Sequence, residues 1–146
     1  MTAATATARP PAWYWWVSGL AFLWMAVGIA TWTLDLMTDE TTAAGLSEAQ
    51  RQLYAVRPDW VFAAYGVAVA SGLAGALGLL LRRGWAVAAM ILSLAAAVLH
   101  FGYIFLVLDA IGLLGLGAVP FPLFILTAGV FLVWFSAGAR RRGWIG

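Results

Sequence analysis

The sequence contains no cysteine and no lysine, a single histidine, and few charges of either sign. Without cysteine there is no disulfide framework, no thiolate nucleophile and no Cys-ligated metal site. Charged residues make up 10% of the 146, against about 25% in an ordinary soluble domain. The eight basic residues are all arginine, and a net charge of +2 implies no nucleic-acid partner. Catalytic signatures are missing too: no GxSxG, HExxH, Walker or paired-histidine spacing occurs. The string GLAGALG, residues 72–78, lies in an apolar run and precedes no lysine, so it is no phosphate loop. No catalytic residue, metal site or cofactor is nominated, and enzyme chemistry is the less favoured class.

What the chain has in abundance is apolar surface: 64% of it is hydrophobic, and mean hydropathy is +0.95. A helix rises 1.5 Å per residue, so about 20 residues cross roughly 30 Å of hydrocarbon. Four runs meet that length, at 13–36, 60–81, 85–108 and 120–138, and none carries a charge in its middle. Backbone groups in lipid must bond internally, which leaves helices or closed barrels, and these runs lack the alternating polarity of barrel strands. The expectation is an all-α membrane protein, a four-transmembrane-helix bundle at 13–138. A flexible segment at 1–12 precedes it and a basic tail at 139–146 follows. The first run is longer than a signal-peptide core, with bulky Trp32 just beyond Gly28 and Ala30, so it reads as a retained span.

The connections constrain the bundle. Arg82-Arg83-Gly84 permits only a tight antiparallel hairpin of spans two and three. DAIGLLGLGAVP, residues 109–120, carries three glycines, and the third helix is expected to fray there. Pro120 and Pro122 suit the first turn of the fourth helix, where a missing amide donor costs little. In the polar loop at 38–59, Ser47 followed by Gln50 forms the pattern of a capping box. A short helix over 48–56 is expected, stopped by Pro58. It reads as a connector on the surface or as a lid over an outer cavity.

Arg9, Arg82, Arg83, Arg140, Arg141 and Arg142 fall on one side of such a bundle, and only Arg51 and Arg57 on the other. Arginine-rich flanks stay inside, so both termini are expected in the cytoplasm. The acids, Asp35, Asp39, Glu40, Glu48, Asp59 and Asp109, all take the outer side. Tryptophans mark both interfaces. Trp24, near mid-span, is the exception, and either fills space between helices or faces lipid.

Small residues let helices approach closely in lipid. Gly66, Ala70, Ala74 and Gly78 recur every four positions in span two, beside Gly72 and Gly75, and Ser93 stands among alanines in span three. The pattern serves the hairpin itself or an oligomer interface. Phe124, Phe131 and Phe135 share roughly one face of span four, turned to lipid or to a partner.

Intramembrane ionisable groups are expensive and often functional. His100 sits in span three, with Tyr103 one turn away and Thr31, Tyr65 and Asp35 within reach from neighbouring spans. It serves as a structural hydrogen-bond node, as a proton or substrate site, or as a metal or haem ligand. The last needs a second chain to supply a second histidine. Asp35, Asp59 and Asp109, at the outer span ends, form with Arg57 a candidate charged cluster, in which Arg57 is expected to pair with Asp35 or Asp109.

Pro58 before Trp60, the small-residue span, the Arg82-Arg83 turn before Trp85 and the preceding LSEAQRQLY at 46–54 carry a resemblance covering most of the chain. The sequence resembles small four-helix inner-membrane proteins of proteobacteria, some of them loosely labelled sugar transporters. That resemblance implies a multi-pass protein of the bacterial inner membrane. The label brings no substrate residue to carry over.

Two functions follow. One is an accessory or scaffold subunit, with the lipid bilayer around it and another membrane protein or further copies of itself as partner. The other is an oligomeric transporter or channel for a small solute or cation, entered through an acidic outer vestibule.

Overall fold

The computed structural model describes residues 8–37 and 44–146. Helices α1 (Ala12–Leu36), α3 (Asp59–Leu80), α4 (Ala86–Leu106) and α6 (Pro120–Arg141) are long and apolar enough to cross a membrane. Their exposed apolar flanks suit contact with lipid. Two shorter helices, α2 (Glu48–Val56) and α5 (Ala110–Leu114), cap the end of the bundle opposite the termini. Among the described residues there is no strand. The polar loop's residues 38–43, with Asp39 and Glu40, and the first seven residues of the expected flexible segment lie outside the described residues.

α2 starts where the capping box places it. Ser47 Oγ accepts from the Gln50 amide at 3.2 Å, and Gln50 Oε1 accepts from the Ser47 amide at 2.9 Å. α4 stops two residues short of the expected 108. Asp109 turns the chain in a left-handed conformation, φ 50°, and its carboxylate accepts from the Gly112 amide at 3.1 Å to start α5. Gly115, φ 81°, then admits a 3-10 turn at Leu116–Ala118 before Pro120 opens α6.

α1 packs on α3, α3 on α4, and α4 on α6. The α3–α4 hairpin is the tightest contact, but its stripe differs from the i, i+4 series. Gly66 is buried against Trp32, and Gly78 against Trp85 and Ala86. Ala70 is exposed and Ala74 half-buried, while Ala68, Gly72, Gly75 and Ala76 are buried. The reason is geometric. A four-residue step turns about 400° round a helix of 3.6 residues per turn, so such a series drifts off any one face. α3 also serves two neighbours at once: Gly72 faces Met25 of α1 and Ser93 of α4, and Gly75 faces Met90.

The terminal end is closed by a core of Tyr14, Leu79, Met90, Leu132, Phe135 and Ile145. Arg82 is the hinge. Its φ of 57° is unfavourable for a side chain with a Cβ. The helix ends there on bonds from the Arg83 amide to Gly78 O at 2.8 Å and from the Arg82 amide to Leu79 O at 3.0 Å. The guanidinium holds Trp144 O at 2.8 Å and Ala8 O at 2.7 Å. Residues 139–146, expected as a basic tail, continue α6 to Arg141 and then turn back at Gly143, φ 69°. Ile145 thereby reaches the core, and Gly146 exchanges backbone hydrogen bonds with the Arg82–Gly84 turn.

Candidate functional site

The opposite half of the bundle is not solid. An inner chamber of about 170 Å³ lies between the four long helices. Trp24, Gly28 and Thr31 of α1 line it, with Val69 of α3, Ser93 and Ala97 of α4, and Ala128 of α6. An outer chamber of about 230 Å³ lies above it, walled by Asp35, Leu53, Tyr54 and Arg57. Tyr65, His100, Phe101, Phe121 and Ile125 border both, so the two are adjacent and share that wall.

Local chemistry positions each group. Thr31 and Ser93 spend their hydroxyls on the backbone, donating to Val27 O at 2.9 Å and Ala68 O at 2.6 Å. The inner wall therefore presents mostly apolar surface. His100 is 6% exposed and its Nδ1 lies 2.8 Å from Val61 O. A carbonyl only accepts, so Nδ1 carries the proton, and in the neutral ring Nε2 is an acceptor. Tyr65 leans against the imidazole with centroids 5.3 Å apart. Phe101 meets it edge-on at 5.0 Å.

The outer chamber holds the charges. The Arg57 guanidinium lies over the Tyr54 ring at 4.6 Å and the Phe62 ring at 4.7 Å, which fixes it by cation–π attraction. Arg57 and Asp35 share this chamber, but no ion pair joins them; the pair formed among the described residues is Arg51–Glu48 at 3.0 Å, on the surface of α2. Burial raises the Tyr54 phenol above its ordinary value. The Asp35 charge and a hydrogen bond to that carboxylate raise it further, against the pull of Arg57.

The structure thus gathers Thr31, Asp35, Arg57, Tyr65, Ser93 and His100 around the chambers. Tyr103 turns aside and meets Trp60 edge-on at 4.9 Å. Asp59 stands exposed in the first turn of α3, and Asp109 caps α5. Neither borders the outer chamber. Among the described residues no group of three or more His, Asp or Glu side chains is placed to hold a metal ion.

Two features have only a faint signal in the residue pattern. The seam between α1 and α6 is bridged by rings: Trp24 meets Phe124 at 5.6 Å and Phe121 at 6.4 Å. Nearer the termini, Tyr14 stacks on Phe135 at 5.6 Å. Mid-span Trp24 was the only hint, as an aromatic out of place. The other feature is Tyr54, whose spacing of three from Arg57, the residue just past the end of α2, is a weak signal for their joint placement.

No protein-family model, no curated protein and no solved structure matches this chain.

Proposed function

We propose that this chain is a multi-pass protein of the bacterial inner membrane, with both termini cytoplasmic, whose bundle binds a small amphipathic molecule. The polar end of that molecule sits with Asp35 and Arg57, and its apolar body fills the inner chamber. The adjacency of the two chambers, with Tyr65 and His100 bordering both, carries the reading. An apolar space beside a few convergent polar and charged groups is the usual form of a small-molecule site. The cavity is blind, because the terminal half is packed from Tyr14 to Ile145. That favours holding a ligand over passing one through. The transporter alternative requires this core to part, or further copies to complete a path. The arginine asymmetry supports the orientation, and the resemblance to small inner-membrane proteins supports the location.

An accessory role has its own observation. α6 buries Leu132, Phe135, Ser136 and Ala139, all in its terminal half, and leaves Phe121, Leu123 and Phe124 exposed. A second copy or another membrane protein on that flank would make this a ligand-holding subunit of a larger assembly.

One experiment reads both. The full chain, taken from its native membrane in mild detergent, is weighed by native mass spectrometry beside Ala128→Phe, which places a ring in the inner chamber. The expected result is a small-molecule adduct on the wild type that the variant lacks, at unchanged elution volume. A partner or second copy in the same spectrum supports the accessory role. Bare wild-type chains, with no adduct restored by adding back a lipid extract, overturn the binding reading.

A further inference from the structure

We infer that the molecule bound is a lipid-soluble aromatic ring bearing a hydroxyl, of the quinol class, and that its O–H donates to His100 Nε2. The inference rests on the two chambers being a ligand site and names what they select.

The unused acceptor is the starting point. Nδ1 is committed to Val61 O at 2.8 Å. Among the described residues Nε2 has no hydrogen-bond partner, and no hydrogen bond joins the ring to Tyr65. Among the described residues, the fully buried polar side-chain atom without a partner is Ser18 Oγ, not this nitrogen. Nε2 therefore keeps a little accessible surface although the residue is 6% exposed. His100 borders both chambers, which are where an occupant would meet that surface. The nearby hydroxyls do not help, because Thr31 and Ser93 already donate to backbone. A nearly buried acceptor without a partner is unfavourable, so it gains from a donor. The donor it lacks is an O–H or N–H brought by the occupant.

Shape narrows the class. An apolar cavity of about 150 Å³ accepts a benzene ring, and the inner chamber measures about 170 Å³. Trp24, Tyr65, Phe101 and Phe121 surround it together with the imidazole. Aromatic walls favour a flat ring through offset and edge-on contacts. A quinol carries a second hydroxyl on the opposite carbon, and the adjacent outer chamber is walled by an acceptor, Asp35, and a donor, Arg57. The oxidised quinone has only acceptors and nothing to give Nε2, so this site prefers the reduced form. A site built to bond a hydroxyl discriminates strongly against analogues that lack one.

The test uses the full chain in lipid nanodiscs and three probes: a decyl-tailed benzoquinol, its quinone and its dimethyl ether. Affinities come from calorimetry under reducing, anaerobic conditions for the quinol. The quinol is expected to bind at least about tenfold more tightly than the other two. His100→Phe should erase that preference, and His100→Gln, whose Oε1 can stand in for Nε2, should keep part of it. Because His100 is the only histidine, ¹⁵N-histidine labelling gives one Nε2 resonance, which the quinol should shift and the ether should not. Equal binding of all three probes overturns the hydroxyl assignment and leaves the amphiphile site standing. Binding of a tailed alkanol but none of the rings overturns the aromatic class. Failure of every amphiphile overturns this inference and the binding reading together.

Discussion

Tyr54 shows how one side chain ties the short helix to the bundle. It stands on α2, outside the long helices, yet borders the outer chamber beside Asp35 and Arg57. Its phenol is raised, first by burial and then by the Asp35 carboxylate. A raised folded value means that the neutral form is the one the fold favours. The stabilisation is complete below the unfolded value of about 10 and is lost as pH rises through the folded value. Ultraviolet titration of wild type and Tyr54→Phe should therefore differ by one phenol that ionises later than a free one. The loop should meanwhile stay docked at neutral pH. If the titration curves of wild type and variant differ only by one ordinary phenol, Tyr54 is not held in the chamber wall.

At the scale of the element, the helices were legible because length and apolarity fix them directly, and the caps at Ser47 and Pro120 follow local rules. Which face each helix presents was less legible. An i, i+4 series of small residues reads as one stripe, but α3 divides its small residues between α1 and α4. Gly72 is the position where this matters most. A Cβ there would come 2.5 Å from Met25 Sδ and 2.8 Å from Ser93 Oγ. The thioether can move, but Ser93 is tied to Ala68 O at 2.6 Å. Gly72→Ala should cost about 1–3 kcal/mol, as overpacking does. Gly102 is helical too, with nothing within 4 Å of its missing Cβ, so Gly102→Ala should hold or raise stability through helix propensity. Thermal midpoints in one detergent compare the two. Equal shifts would show that backbone propensity, not the α1–α3–α4 junction, governs both sites.

For the whole molecule, the sequence carried the depth of each group but not the order of helices around the bundle. Tyr65 and His100 were legible as neighbours because each lies at a similar depth in its span, with Asp35 at the outer end of α1. The seam was not, because nothing local tells Trp24 that Phe121 and Phe124 will face it. Depth also sets sidedness. Arg82 binding both Ala8 and Trp144 puts the two terminal segments and the α3–α4 turn at one end. Arg9, Arg140, Arg141 and Arg142 flank those segments, while α2 carries Arg51 and Arg57 leads into α3 at the other end. Positive flanks are retained inside, so the chamber mouth should face away from the cytoplasm. The absence of cysteine makes the test clean. Ala55→Cys, exposed on α2, and Ala8→Cys, exposed at the terminal end, are each treated in intact spheroplasts with a thiol reagent that cannot cross the membrane. Ala55→Cys should label at once, and Ala8→Cys only after lysis. The reverse pattern would turn the bundle over and put its charged mouth in the cytoplasm, where an occupant would have to arrive from the cell interior or through the α1–α6 seam.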